Sequence, residues 1–113
     1  MPEFNFKELS AAQIAEIINN EPSVKLLDVR ELHEYEYCHL SKSIHCPLSQ
    51  LPDCLEKANL KDKTEKIIVY CHHGIRSAKV ASYLAENGFQ NVYNLAGGID
   101  AWSIELDSNI PRY

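Results

Sequence analysis

The chain has 113 residues, 45% hydrophobic and 24% charged, with a formal net charge of −5. These values fit one globular domain over residues 1–113 with its own core, and they exclude disordered and fibrous chains. The acidic balance lacks the clustered Lys and Arg that nucleic acid requires, and no stretch nears the roughly 18 consecutive apolar residues of a membrane span.

Ser10-Ala11-Ala12-Gln13 matches a capping box, and Ile14, Ile17 and Ile18 recur at helical spacing, so a helix is predicted from about residue 11 to Asn19. Glu21-Pro22-Ser23 breaks it. Lys25 to Val29 is a short apolar run that reads as a buried strand, with Asp28 and Arg30 at its C-terminal end. Glu31 to Tyr37 reads as a short helix. Ser43 to Cys46 reads as a short strand ended by Pro47, and Leu51 to Asn59 as a helix with Pro52 in its first turn. Lys66 to Tyr70 (Lys-Ile-Ile-Val-Tyr) is the strongest strand. It is β-branched and unalternating, as a central strand covered on both faces should be. Ile75 to Glu86 is a helix with Ala78, Ala81, Leu84 and Ala85 on one stripe, closed by Asn87-Gly88. Asn91 to Leu95 is a further strand, Gly97-Gly98 a tight turn, and Ile99 to Ile104 a last short helix before an irregular tail.

Alternating strands and helices predict a three-layer α/β domain with a mostly parallel sheet and helices on both faces. Ligands bind such sheets beyond the C-terminal strand ends, where Asp28, Arg30 and Cys71 fall.

Met1 to Leu9 carry Glu3, Lys7 and Glu8 and no apolar signal core, which points to a cytoplasmic chain without membrane or nucleic-acid partners. In that compartment the four cysteines, Cys38, Cys46, Cys54 and Cys71, are expected to be free of structural disulfides.

Cys71 opens the loop Cys71-His72-His73-Gly74-Ile75-Arg76 between a buried strand and a helix. Inward-pointing N–H groups of a tight loop and the positive end of the next helix both favour the thiolate, the reactive form of Cys. Gly74 permits a backbone angle that a side chain forbids. Arg76 offers a planar fork to an anionic, oxygen-rich substrate, and Ser77 offers another donor to sulfur. The bland alternative is a buried Cys packed as a small hydrophobe.

Four segments in order resemble the rhodanese-type sulfurtransferase family in its single-domain form. They are Asp28-Val29-Arg30 with Glu31, Glu34 and Tyr35; Cys38-His39-Leu40-Ser41-Lys42-Ser43; Tyr70-Cys71-His72-His73-Gly74-Ile75-Arg76-Ser77; and Leu95-Ala96-Gly97-Gly98-Ile99-Asp100-Ala101-Trp102. The resemblance runs from about Phe6 to Trp102. It implies a rhodanese-like fold and a two-step reaction without a cofactor. Cys71 takes a sulfane sulfur from a donor such as thiosulfate and becomes a persulfide; cyanide or a thiol then removes it. By the same resemblance, the backbone N–H groups of His72 to Ser77 hold the persulfide and Arg76 orients the donor.

Related phosphatases use Cys-x5-Arg, whereas this chain has Cys-x4-Arg, a cradle one residue shorter that suits sulfur rather than a phosphoryl group. Two glycines of the family's central stretch are replaced here by Cys38 and Lys42 and its proline by Ser41, so another local geometry is expected there. Cys38 and Cys46 are weighed as resolving thiols against plain packing. His72 and His73 are weighed as a local positive charge against solvated loop residues. His39, His45, Cys46 and His72 lack metal-ligand spacing, and no metal is expected. Asp28 and Arg30 read as a structural pair supporting the active loop, because a charge at a buried strand end must find a partner. Trp102 reads as core or rim packing that closes the Gly97-Gly98 turn over the sheet, and Tyr35 and Tyr37 as pocket lining. Competing functions are a non-catalytic regulatory or protein-binding module and a protein-to-protein sulfur relay.

Overall fold

The computed structural model describes residues 5–113; the first residues of the charged N-terminal stretch, 1–4, lie outside them. Five parallel strands run β1 (Lys7–Leu9), β2 (Lys25–Asp28), β3 (Ile44–His45), β4 (Lys66–Tyr70) and β5 (Asn91–Leu95) along the chain. They lie side by side in the order β1-β5-β4-β2-β3. The helices are α1 (Ala11–Asn20), α2 (Leu32–Tyr37), α3 (Asp53–Lys57), α4 (Ile75–Glu86) and α5 (Gly98–Glu105), with a 3-10 turn at Leu48–Gln50. The predicted mostly parallel α/β sheet is therefore present. Among the described residues no helix is long and apolar enough to cross a membrane.

The sheet's two faces explain why β4 carries no polar alternation. Ile67, Val69 and Cys71 enter one apolar cluster with Val80, Ala81 and Leu84 of α4. Ile68 and Tyr70 enter the other, with Ala11 and Ile14 of α1 and Ile99 of α5. Cys71 thus continues the strand's period-two alternation and faces α4. The Ser10 cap is present as read: its hydroxyl accepts from Gln13 N–H at 3.2 Å, and Gln13 Oε1 accepts from Ser10 N–H at 2.9 Å.

Three features depart from the sequence expectation. Strand β1 was not foreseen. It is three residues long, carries Lys7 and Glu8, and among the described residues pairs only with β5, the charged edge strand that apolar patterning passes over. Helix α3 starts at Asp53 rather than Leu51, after a cis Leu51–Pro52 bond. Cys46 and Cys54, expected as free thiols, form a disulfide with Cα atoms 5.3 Å apart. The 3-10 turn folds α3 back onto the end of β3, so two buried cysteines eight residues apart meet in the α4-side core. Compartment reasoning speaks to redox poise and not to this proximity. Cys46 is consequently no candidate for a resolving thiol.

Candidate active site

The site lies at the C-terminal ends of β2 and β4. Strand β4 delivers Cys71, and Gly74 then takes φ +96 as the N-cap of α4. An added Cβ at Gly74 would sit in contact with Gly97 N and Leu95 O, both at 3.4 Å, so the left-handed backbone angle is what asks for glycine there. The turn aims two backbone donors at one atom: Gly74 N–H and Ser77 N–H reach Cys71 Sγ at 3.1 and 3.3 Å. Ser77 Oγ lies 3.3 Å from Sγ and 2.5 Å from Asn94 Oδ1. Asn94 is oriented by its other end, where Nδ2 donates to Glu8 Oε1 and Gly74 O. Its Oδ1 is therefore the acceptor, and the single hydroxyl proton of Ser77 serves either Asn94 or sulfur. Cys71 itself is 1% exposed.

The Gly97-Gly98 turn does more than close over the sheet. Helix α5 begins against the Cys71 loop, and its first N–H groups, from Ile99 and Asp100, donate to Cys71 O at 2.9 Å and His72 O at 3.2 Å. A Cβ on Gly98 would overlap those same two carbonyls. Trp102 packs, partly buried, on the sheet face that carries α1 and α5, the core or rim packing that was expected.

Asp28 and Arg30 form the buried pair that was expected. Both are fully buried, and Arg30 Nη2 and Nε donate to Asp28 Oδ2 and Oδ1 at 2.5 and 2.9 Å. Burial presses the guanidinium toward neutrality, but Asp28 and the Tyr113 oxygen outweigh it and hold Arg30 above its ordinary value. The pair reaches the altered stretch more directly than the Cys71 loop. Arg30 Nη2 donates to Cys38 O at 2.6 Å, and Tyr70 Oη donates to Asp28 Oδ2 at 2.8 Å while accepting from Leu40 N–H at 3.1 Å. Burial, then the Asp28 carboxylate, push the Tyr70 phenol well above its usual range, so it stays a donor.

The expected change of geometry at the replaced glycines is corrected at Lys42. Lys42 adopts φ +65, the left-handed conformation that glycine favours, and Ser43 N–H closes the turn on Leu40 O at 3.1 Å. Cys38 is extended, at φ −163, which any residue adopts.

Arg76 is not an open fork. Its Nη1 and Nη2 donate to Glu34 Oε1 and Oε2 at 2.6 and 2.9 Å, tying α4 to α2. That fork holds the Glu34 carboxyl at about 2, against burial and with help from Tyr113. Glu34 is thus a central member of the site, flagged in the sequence only as part of a pattern. Tyr113 and Asn94 were missed outright. Asn94 had one signal, a polar residue at an inward strand position next to Leu95; Tyr113, in an irregular tail, had none.

His72 and His73 fit neither reading fully. The His72 ring is half-buried, stacked between His73 and Tyr113 with centroids 3.9 Å from each. Burial, then the neighbouring His73, hold it below the ordinary imidazole value. His73 is exposed, with Nε2 at 3.6 Å from Asp100 Oδ2. These three side chains bring potential ligand atoms within 4.8 Å of one another, but Asp100 is already bonded by Arg112 at 2.8 and 3.3 Å. The set imagined from sequence does not assemble: His39 and His45 bond the carbonyls of Tyr35 and Arg30, and Cys46 is in the disulfide. Tyr37 lines a cleft with His33, Glu34 and Tyr113. Tyr35 does not; it stacks on His39 and His45. Cys38 Sγ is a free thiol packed on Pro111 O at 3.7 Å.

The chain is similar to proteins named thiosulfate sulfurtransferase GlpE. It is 37% identical over 97 residues to that of Coxiella burnetii, covering 86% of this chain and 87% of the relative. It is 33% identical to that of Pseudoalteromonas translucida, covering 95% and 98%. Among solved structures it resembles a rhodanese-related protein from Thermoplasma volcanium, with TM-score 0.74, 33% identity, and 89% and 94% of the two chains covered. A rhodanese-like domain protein from Staphylococcus aureus matches with TM-score 0.77 at 27% identity over 96% and 99%. The model of the rhodanese-like domain matches residues 10–105, a span that takes in all four motifs and every residue around Cys71 Sγ except Glu8 and the tail, and the chain belongs to the rhodanese-like domain family.

Proposed function

We propose that this chain is a sulfurtransferase that carries a sulfane sulfur as a persulfide on Cys71. The observation that carries the reading is the convergence of Gly74 N–H and Ser77 N–H on Cys71 Sγ at 3.1 and 3.3 Å, at the first turn of α4. Donors fixed by backbone geometry stabilise negative charge on sulfur without reorganising during the reaction. The names of the GlpE relatives support thiosulfate as a donor.

In the first step the Cys71 thiolate attacks the outer sulfur of thiosulfate. The new S–S bond forms as the donor's S–S bond breaks, and sulfite leaves with the electron pair. The loop then holds a persulfide anion, with the N–H groups of His72 to Ser77 as its cradle. Arg76 meets the sulfonate oxygens of the donor, which compete with Glu34 for its fork. In the second step cyanide or a thiolate attacks the outer sulfur, leaving as thiocyanate or a persulfide and returning the Cys71 thiolate. Electrons balance within each exchange, so no cofactor is required. A small-molecule acceptor and a protein thiol both satisfy the second step.

Steady-state assay of thiocyanate from thiosulfate and cyanide tests this. Turnover by the wild-type chain and none by Cys71→Ser is expected. A folded wild-type chain that transfers no sulfur from thiosulfate or other sulfane donors would make the fold a regulatory module. Hydrolysis of a phosphate ester in the same screen would revive the phosphatase alternative.

A further inference from the structure

The tail after α5 returns across the site and is fastened at successive residues. Ser103 Oγ donates to Ile110 O at 2.6 Å, Arg112 pairs with Asp100, and the Tyr113 ring lies flat on His72, 7° from parallel. The phenol oxygen then bridges two charged groups. Tyr113 Oη accepts from Arg30 Nη1 at 2.7 Å and donates to Glu34 Oε2 at 2.8 Å. Glu34 Oε2 is the same atom that accepts from Arg76 Nη2 at 2.9 Å.

From this shared oxygen we infer that Tyr113 is a positioning residue for the sulfur donor, acting through Glu34 on Arg76. The inference rests on the proposed role of Arg76 in meeting an anionic donor. Glu34 and the donor compete for one guanidinium fork. A carboxylate that already receives the Tyr113 hydroxyl has part of its charge dispersed and a partner to keep when Arg76 turns away. Among the described residues, removing the hydroxyl leaves Arg76 as the remaining side-chain partner of Glu34 and tightens that pair. Burial pushes the Tyr113 phenol up to about 12, so it is a donor throughout the working pH range. Tyr113 therefore tunes selectivity for anionic over neutral donors, while its ring, packed on His72, is a separate contribution.

Tyr113→Phe removes the hydroxyl and keeps the ring. The readout is the ratio of Cys71 alkylation rates with iodoacetate, an anion, and iodoacetamide, its neutral counterpart, followed on the Cys71 peptide by mass spectrometry. The ratio is expected to fall about three- to tenfold in Tyr113→Phe, with the iodoacetamide rate held within about twofold. In a Glu34→Gln background the same substitution is expected to leave the ratio unchanged, because no carboxylate remains to be shared. In turnover, the KM for thiosulfate rises and kcat does not. An unchanged alkylation ratio in Tyr113→Phe, or an equal fall in the Glu34→Gln background, overturns the inference. Alkylation needs no sulfur transfer, so a wild-type chain that fails to turn over sinks the proposed reaction and leaves the Tyr113–Glu34–Arg76 coupling to be judged on its own ratio.

Discussion

Replacing Gly98 by Ala tests how the active loop is held, and the other glycines supply the control. Gly98 has φ +63, and an added Cβ would overlap the carbonyl oxygens of Cys71 and His72. Those oxygens accept the N–H groups of Ile99 and Asp100 at 2.9 and 3.2 Å, so relieving the overlap separates α5 from the loop. A left-handed conformation costs a non-glycine residue about 1–2 kcal/mol. Two weakened backbone hydrogen bonds cost about 1 kcal/mol each. The unfolded chain's lost freedom returns about 0.4–1 kcal/mol. The expected net destabilisation is thus about 3 kcal/mol. Gly88, at φ +92, has nothing within 4 Å of an added Cβ, so Gly88→Ala carries the conformational cost alone, about 1 kcal/mol. Urea unfolding followed through the single Trp102 gives both values. Sulfur transfer under folding conditions should fall in Gly98→Ala and hold in Gly88→Ala. Equal midpoints for the two variants, or full activity in Gly98→Ala, would refute the claim that the last motif exists to fix the Cys71 loop.

Other outcomes follow from the same contacts. Tyr70→Phe strands the Leu40 N–H and removes a donor from Asp28, and should cost about 2 kcal/mol in urea unfolding while leaving the Cys71 cradle formed. Lys42→Gly relieves a left-handed lysine and should stabilise the chain by about 0.5 kcal/mol by the same measurement, the relief being partly offset by unfolded-state freedom. The Glu34 carboxyl sits at about 2, below its ordinary 4.5, so its stabilisation is full above that ordinary value and is lost as pH falls from there through about 2. After allowance for solvent at the one-third-exposed Arg76, the loss is about 2 kcal/mol. Wild type should approach Glu34→Gln in stability across that window; a gap that persists to the acid end contradicts the pairing.

The sheet was legible because burial on both faces writes itself into β4 as an unbroken run, Ile67 to Tyr70, and because Ser10-Ala11-Ala12-Gln13 and Asn87-Gly88 mark helix ends with local chemistry. The loop from Cys71 to Ser77 was legible for the same reason: its donors come from a turn that Gly74 makes possible. What stayed hidden depends on distance in space. Nothing local to Glu34 says that Arg76, 42 residues on, will take both its oxygens. Cys46 and Cys54 meet only because the 3-10 turn brings α3 back. Lys42 shows a second limit. Residue identity there argues against a left-handed turn, yet the hydrogen bonds of Leu40 and Ser43 to their neighbours hold one. Tyr113 shows a third, since a tail without periodicity gives no hint of where it docks.

The most direct measurement of the central claim is peptide mass spectrometry of the chain after incubation with thiosulfate and removal of the excess. One sulfur atom gained on the Cys71 peptide, lost on adding cyanide and absent from Cys71→Ser, is the predicted result. A chain that stays unmodified with thiosulfate and every other sulfane donor, or that gains its sulfur on Cys38 instead, contradicts it.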